Sequence, residues 1–400
     1  MLAAAISHFL AQTICGIICR VYPGSCNEGE YLMGAGPRIL AVNPGGMTTK
    51  LAVYEGETCV LEASADHTRE ELAAFATIPD QLEHRLAAIR SALAGAGFDG
   101  KSFDAVVGRG GLFRAIPSGT YIVNEQMMDD ARTGYAGQHA SNLGALLAES
   151  LRRTLGGSAY VVDPVCVDEF EPEARYSGHP DIERVSLLHA LNIRATAKKA
   201  ARGLGRSMAD VNMIVAHLGS GISIAPLRRG RMVDVNNALS GGPFSPERTG
   251  ALPLIEMFDY MLEKGYDPKR MKRFIAKEGG LLAYLGTNDF RETESRYEAG
   301  DERVRQVVAA MVYQIGKEIG AMAAVLSGDV DSIVLTGALA RAPFFVDLIG
   351  KRVSFIAEVV VLPGENELES LALGALEVLR GEARPRVYPT GSPVGGGGRT

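Results

Sequence analysis

The stretch Asn43-Pro-Gly-Gly-Met-Thr-Thr-Lys50 is a turn of small and hydroxyl-bearing residues between two apolar runs, at 39–42 and 51–54. An apolar run, a polar turn and a second apolar run predict a β-hairpin. Glycines let a backbone approach a ligand closely, and exposed N–H groups beside threonine hydroxyls suit phosphate oxygens. The stretch therefore predicts a hairpin that could bind phosphate, although a single hairpin of this kind is more often an ordinary tight turn.

A second hairpin of the same kind is predicted at His217-Leu-Gly-Ser-Gly-Ile-Ser223, between apolar runs at 213–216 and 224–225. Around each hairpin the apolar pattern reads strand, strand, strand, helix, strand, helix, strand. This order occurs twice without obvious residue identity, which indicates an internal repeat at the level of the fold. Two such hairpins suggest two related domains that bind one nucleotide.

Apolar residues at spacings near three and four predict the helices. The main ones are expected at 68–93, 138–155, 182–203, 253–264, 303–326 and 367–379.

Length and composition are those of a globular enzyme with two domains. The chain has 400 residues, of which 46% are hydrophobic and 22% charged, and its net charge is −6. A single core rarely grows to this length, and the negative charge argues against a nucleic-acid partner. The five cysteines are scattered and no His/Cys cluster follows them. We therefore expect neither a zinc site nor a disulfide framework, and the cysteine usage predicts a cytoplasmic location.

The two ends of the chain differ from the rest in composition. Residues 1–36 begin with an apolar run that is too short and too mixed for a membrane span, and they predict a poorly ordered extension. Residues 384–400 are rich in proline and glycine and predict a disordered tail. Between these ends, the sequence predicts domain I over 37–165 plus 368–383, and domain II over 166–367.

Nucleotide binding in this chain needs an architecture other than the two best-known loops. Neither G-x-x-x-x-G-K-[ST] nor a strand followed by G-x-G-x-x-G is present. Instead, polar groups stand at strand ends and in glycine-rich turns, where open α/β sheets place ligands. These groups are Asn43, Thr48, Lys50, Arg109, Asp163, His189, His217, Gly219, Ser220, Gly221, Arg248, Thr336 and Gly337.

Five stretches carry a resemblance to a known family. They are VVGRGGLFRAIPSGTYIVNE, GQHASNLGALLAES, VVDPVCVDEFEPEARYSGHPDIERVSLLHALN, AHLGSGISIAPLRRGRMVDVNNALSGGPFSPERTGALP and LPGENELESLALGALEVLRGE. On these stretches the chain resembles the acetate/butyrate kinase family over about residues 37–383, and GPFSPERTG and DEFEP resemble butyrate kinases more than acetate kinases. The resemblance implies an α/β fold of two duplicated ribonuclease-H-like (actin/Hsp70-type) domains with a nucleotide cleft between them.

The resemblance also implies a short-chain fatty-acid kinase that reversibly converts ATP and butyrate to ADP and butyryl phosphate with Mg²⁺, as a homodimer or higher homo-oligomer. Moving a phosphoryl group to a carboxylate brings two anions together, so catalysis depends on positioning and on neutralising charge. Acetate, propionate and branched acids are alternative substrates, because one methylene changes binding by only about 1–3 kcal/mol. A non-catalytic nucleotide-binding regulator and an inactive paralogue are alternatives of another class.

The catalytic residues implied by the resemblance are Arg109, Asp163, His189 and Arg248. The two arginines would clamp the transferring group, and His189, within a predicted helical stretch, would donate a hydrogen bond to it. Asp163 would orient an arginine or the acid, or act through Mg²⁺; the less favoured alternative is that it caps a helix before Pro164.

The resemblance implies nucleotide contacts from Asn43, Thr48, Lys50, His217, Gly219, Ser220, Gly221, Thr336, Gly337 and Ala338. Asn43 and Glu367 would hold Mg²⁺ through oxygen ligands, with Glu365 as an alternative to Glu367. Gly46, Met47 and Ala338 replace the serine, hydroxyl-bearing residue and glycine that are usual in the family. These departures put full activity, more than the fold, in question.

Overall fold

The computed structural model describes residues 11–14, 17–21 and 36–390, and the chain divides into two compact units. Unit 1 comprises the described residues up to Cys166 and those from Asn366 onward, and unit 2 comprises Val167–Glu365. The first boundary lies one residue after the predicted bound of 165, and the second lies two residues before the predicted bound of 367. Glu367 consequently belongs to unit 1.

The regular elements are numbered in chain order. The strands are β1 (Ala11–Ile14), β2 (Ile17–Val21), β3 (Arg38–Pro44), β4 (Thr48–Glu55), β5 (Thr58–Asp66), β6 (Ala105–Arg109), β7 (Thr120–Ile122), β8 (Ser158–Val162), β9 (Asn212–Leu218), β10 (Ile222–Arg228), β11 (Arg231–Met232), β12 (Ser332–Thr336), β13 (Glu358–Val361) and β14 (Arg386–Val387). The α-helices are α1 (Arg69–Ala73), α2 (Leu82–Gly95), α3 (Glu125–Thr133), α4 (Leu143–Leu155), α5 (Ala190–Gly203), α6 (Leu254–Glu263), α7 (Pro268–Lys277), α8 (Gly280–Leu285), α9 (Phe290–Glu298), α10 (Glu302–Val325), α11 (Pro343–Val353) and α12 (Glu367–Leu379). Among the described helices, none combines the length and the apolar character needed to cross a membrane.

Both units contain the same five-stranded arrangement. In unit 1 the order is β5-β4-β3-β6-β8, and in unit 2 it is β11-β10-β9-β12-β13. In each unit the first three of these strands in sequence are antiparallel neighbours. The remaining two, β6 and β8 in unit 1 and β12 and β13 in unit 2, extend the sheet in parallel from β3 and β9. This duplication confirms the predicted internal repeat and the α/β fold class.

The strands at the centre of each sheet are buried because helices cover them. In unit 1, α4 and α12 pack against β3 and β6, and in unit 2, α5 and α10 pack against β9. The approach of α4 to β6 depends on glycine, since a Cβ atom at Gly108 would lie 2.0 Å from the carbonyl oxygen of Gly144. Arg109 is the last residue of β6 and so lies at the carboxyl end of a central strand.

Two predicted helices differ from the structure. The helix expected at 68–93 is interrupted between α1 and α2, where Pro79 begins a short 3₁₀ turn. The helix expected at 182–203 begins only at Ala190. Side-chain bonds hold the preceding segment in a non-helical path: Arg184 pairs with Asp234 at 2.7 Å, and the Ser186 hydroxyl donates to the Val167 carbonyl.

The ends of the chain also differ from the predictions. Within the extension expected at 1–36, β1 and β2 form a hairpin, and β2 pairs with β5. The rest of that predicted extension up to residue 35 lies outside the described residues. The tail expected to be disordered from 384 is ordered as far as 390, because β14 pairs with β7 and the fully buried Tyr388 donates to Asp130 at 2.7 Å. Residues 391–400 lie outside the described part.

Candidate active site

Three of the expected residues meet at one edge of the unit 1 sheet. Asn43 lies near the end of β3 and Arg109 at the end of β6, and these two strands are parallel neighbours. Glu367 is the first residue of α12. Arg109 Nη1 lies 2.7 Å from Glu367 Oε1 and donates more weakly to Asn43 Oδ1 at 3.4 Å. The Asn43 amide nitrogen donates to Glu367 Oε2, so one carboxylate joins all three side chains.

Glu365 and Glu367, which the sequence could not separate, have different neighbours. Glu367 contacts Asn43 and Arg109 within unit 1. Glu365 belongs to unit 2, where its Oε1 lies 3.5 Å from His217 Nε2. The backbone of Asn366 between them has φ +38°, so the chain turns sharply at the junction.

Asp163 follows β8, the strand next to β6, and is buried in unit 1. Its backbone has φ +38°, a conformation that non-glycine residues adopt rarely and usually at special sites. Its carboxylate accepts the backbone N–H of Gly119 at 2.6 Å, and its own N–H donates to the Gly119 carbonyl at 3.1 Å. No helix begins at Pro164, so the alternative role of Asp163 as a helix cap is wrong.

The turn at 43–50 forms the predicted hairpin between β3 and β4. Asn43 pairs with Lys50 across the ladder, and the Gly45 N–H donates to the Thr48 carbonyl at 2.8 Å. Lys50 and Met47 are exposed, and a Cβ atom at Gly46 would have nothing within 4 Å. The turn therefore has room for the serine that the family usually carries at this position.

Arg85 is a functional candidate that the sequence reasoning missed. It lies on α2, is fully buried, and donates to the carbonyls of Thr48 and Gly46 at 3.0 and 3.3 Å and to the Thr49 hydroxyl at 2.9 Å. Burial lowers the pKa of Arg85 to about 10, so it stays charged at neutral pH. The available signal was an arginine in register with the apolar residues of a predicted helix, where a charge needs a specific partner.

In unit 2, two histidine rings stack at the end of the second hairpin. The centroids of His189 and His217 are 3.9 Å apart and their planes differ by 13°. His189 precedes α5 instead of lying within a helix, and its Nδ1 is 2.8 Å from the Ser223 hydroxyl. His217 is on β9 and is 1% exposed. The structure thus brings both expected histidines into contact.

Asn192, which the sequence reasoning also missed, determines how His217 is protonated. Its amide nitrogen donates to the carbonyls of Gly364 and Glu365 at 3.2 and 3.1 Å. Its Oδ1 is then directed at His217 Nδ1, 2.8 Å away. Because an amide oxygen can only accept, the proton assigned from this network sits on Nδ1 of His217. Nε2 of His217 is then directed toward the Glu365 carboxylate, with Oε1 3.5 Å away.

Arg248 packs directly against the second glycine-rich turn. A Cβ atom at Gly221 would lie 2.5 Å from Arg248 Nη1. Nη1 donates to the Ala238 carbonyl at 2.6 Å, whereas the shielded Nε has no hydrogen-bond partner among the described residues. Burial lowers the pKa of Arg248, and none of the salt bridges found in the described chain involves it. A guanidinium held in this way, with no carboxylate partner among the described residues, can bind an anionic ligand.

The remaining expected residues of unit 2 surround the same turn. Gly219 donates its N–H to the Gly221 carbonyl at 3.2 Å, and Ser220 is exposed. Thr336 is the ladder partner of His217, and Gly337 has φ +91° with no room for a side chain, since a Cβ atom would lie 2.4 Å from the Leu218 carbonyl. Ala338 is exposed with φ −66°, so its methyl group causes no backbone strain.

Comparisons with known proteins identify the class. Residues 185–349 match the Acetokinase family. An acetate kinase from Porphyromonas gingivalis has a TM-score of 0.68 at 18% identity, over 86% of this chain and all of that one, and a propionate kinase from Francisella tularensis has 0.67 at 16%, over 84% and 98%. At such low identities these structures support the fold alone, which this chain shares with those two proteins.

Sequence relatives define the family more closely. "Probable butyrate kinase" of Listeria welshimeri is 45% identical over 88% of this chain and 99% of its own length. "Probable butyrate kinase 2" of Caldanaerobacter subterraneus is 46% identical over the same shares. The chain belongs to the acetokinase family, in agreement with the predicted resemblance, and membership of this family of kinases implies a nucleotide and a carboxylate as substrates.

Proposed function

We propose that the chain is an ATP-dependent short-chain fatty-acid kinase that transfers the γ-phosphoryl group of ATP to butyrate, giving butyryl phosphate and ADP. The structural observation that carries the proposal is Arg248, a shielded guanidinium that contacts the second glycine-rich turn without a carboxylate partner. The names of the relatives at 45–46% identity support butyrate as the acid.

In this proposal two arginines act in the reaction. Arg109 and Arg248 neutralise charge on the transferring group while a carboxylate oxygen of the acid attacks in line. His189 donates a hydrogen bond to the developing charge, and Asp163 orients the reacting groups from its strained position after β8. In the reverse direction, the acyl phosphate donates its phosphoryl group to ADP.

We assign nucleotide binding to the two turns and to the end of β12. His217, Gly219, Ser220 and Gly221 would contact the β- and γ-phosphates, with Thr48 and Lys50 contributing from the first turn. Thr336, Gly337 and Ala338 would lie against the adenosine. The exposed position of Ser220 between two glycines supports these roles, because a ligand can approach its hydroxyl and the adjoining backbone.

The residues around Glu367 fit Mg²⁺. Carboxylate and amide oxygens are the ligands that this cation prefers, and Glu367 and Asn43 provide both types within hydrogen-bond distance of each other. When bound, Mg²⁺ would supply further neutralisation of phosphate charge. In this arrangement Arg109 holds the Glu367 carboxylate, so the same arginine would position a metal ligand and the transferring group.

Hydroxamate trapping of the acyl phosphate, with unbranched acids of two to five carbons and with branched acids, tests the activity and the identity of the acid. We expect the highest kcat/KM with butyrate. A faster reaction with acetate, propionate or a branched acid would contradict the assignment of butyrate. Binding of ATP without any acyl phosphate would instead indicate a non-catalytic regulator or an inactive paralogue. A homo-oligomeric state and a cytoplasmic location stay predictions, the first of which sedimentation analysis would test.

A further inference from the structure

Three potential metal ligands lie behind the first phosphate turn in unit 1. They are His67, which follows β5, Glu71 of α1 and His84 of α2. One ligand atom from each side chain can be chosen so that all lie within 4.8 Å of one another. His67 is buried, His84 is half-buried and Glu71 is exposed, so the cluster opens to solvent on the side of the carboxylate.

The distance between the two imidazoles suits a shared cation. His67 Nδ1 and His84 Nε2 are 3.1 Å apart, and the ring planes are tilted by 56°. Two nitrogens bound tetrahedrally at ordinary zinc distances are about 3.3 Å apart. The two imidazoles would need only a small adjustment to bind a cation, which replaces the proton now shared by the two rings, and that proton passes to solvent.

Other groups hold the ligands in place. The second nitrogen of His67, Nε2, is 2.8 Å from the Thr49 hydroxyl, which also accepts from the buried Arg85. The carboxylate of Glu71 accepts the backbone N–H of Thr68 at 2.7 Å. Metal-binding histidines commonly use their second nitrogen in this way, which fixes the ring and its tautomer.

We propose that His67, Glu71 and His84 bind a divalent transition cation such as Zn²⁺, at a site distinct from the oxygen-lined position of Mg²⁺. Imidazole nitrogens favour zinc and its neighbours over Mg²⁺, and three protein ligands leave one position for water. The bound cation fixes His67 and, through Thr49, the turn at 43–50. Binding of the transition metal would thereby stabilise the turn at 43–50, which is proposed to contact phosphate.

Zinc binding to the full chain in the presence of excess Mg²⁺ tests this proposal. Equilibrium dialysis followed by elemental analysis would compare the wild type with His84→Phe and Glu71→Gln. We expect His84→Phe to bind one Zn²⁺ fewer than the wild type, and Glu71→Gln to bind it at least about tenfold more weakly. His179→Ala removes an exposed histidine elsewhere and should bind as the wild type does.

Comparison of variants removes the contribution of any zinc bound by cysteines, since all variants share them. Circular dichroism and thermal unfolding without metal verify that each variant folds. Because Glu71 is exposed, Glu71→Gln is expected to fold even if His84→Phe does not. Equal zinc stoichiometry and affinity in the wild type and the folded variants would overturn the proposal.

Discussion

The two glycine-rich turns occupy equivalent positions in the repeated sheet but are built differently. The turn at 43–50 is open, with Met47 46% exposed and empty space around Gly46. The turn at 217–223 is packed more tightly at its centre, since a Cβ atom at Gly221 would lie 2.5 Å from Arg248 Nη1. The first turn is held by hydrogen bonds from the buried Arg85, whereas the second packs against Arg248 and His217, which are proposed to act in the reaction.

This difference shows that the same topology can fix a turn through the backbone or through side chains. In unit 1, Arg85 holds the turn by its carbonyl oxygens, and this leaves the outer surface available. In unit 2, glycines allow Arg248 and His217 to approach the backbone directly. Substitution of Gly46 in the first turn should therefore be tolerated, whereas substitution of Gly221 in the second should affect chemistry.

Replacement of Arg248 by alanine should have the largest effect. Loss of a guanidinium that neutralises charge on a transferring phosphoryl group typically lowers kcat by about 10³-fold or more. Steady-state kinetics with butyrate and ATP would measure the change. Arg291→Ala is the control, because Arg291 is almost fully exposed on α9. Unchanged kcat in a folded Arg248→Ala protein would contradict the proposed mechanism.

Replacement of Arg85 by methionine tests support of the first turn. The change leaves the Gly46 carbonyl and the buried Thr49 hydroxyl without the guanidinium donor, so the free energy of unfolding should fall by about 3 kcal/mol. Urea unfolding measures this value. Arg90→Met, on the same helix but exposed, should change stability by less than about 0.5 kcal/mol. Similar stabilities for the two variants would mean that Arg85 does not support the turn.

Asn192→Ala should remove the hydrogen bond that keeps the proton of His217 on Nδ1. We expect kcat to fall by about 10²-fold, because the ring loses the acceptor for its Nδ1 proton. Asn192→Asp keeps that acceptor and should recover part of the activity. If both variants lose activity equally and in proportion to thermal stability, Asn192 has only a structural role.

The smallest effect is expected from Gly46→Ser. The serine has room, and its hydroxyl can add one hydrogen bond to phosphate, worth about 0.5–1.5 kcal/mol. KM for ATP should fall about 2–10-fold without loss of stability. Gly221→Ser is the matched change in unit 2, where contact with Arg248 should lower activity instead. An unchanged KM in Gly46→Ser would show that the first turn does not contact the nucleotide.

The local sequence pattern was sufficient to predict the repeated sheet and both hairpins, because buried strands are short apolar runs and the turns between them are polar. It failed where tertiary contacts override helical spacing. The segment before His189 is held by Arg184 and Ser186 in a non-helical path. The tail is ordered as far as 390 because Tyr388 fills a buried position next to Asp130, which no local composition reveals.

The metal ligands proposed behind the first turn were missed for a related reason. Cysteine spacing gave no indication of a zinc site, and His67 and His84 stand on either side of a helix break at Pro79. Only the return of α2 along β4 and β5 brings the two rings together. Residues that are separated in sequence and lack a shared period cannot be paired from spacing alone.

The sequence by itself determined the fold class, the duplication, the family and the candidate residues, because apolar periodicity and motif chemistry are local properties. Tertiary structure decided which of these residues meet. It joined Glu367, instead of Glu365, to Asn43 and Arg109, oriented His217 through Asn192, and buried Arg85 under the first turn. Each of these contacts depends on a distance between separate elements, and such distances are determined only when the helices and strands pack.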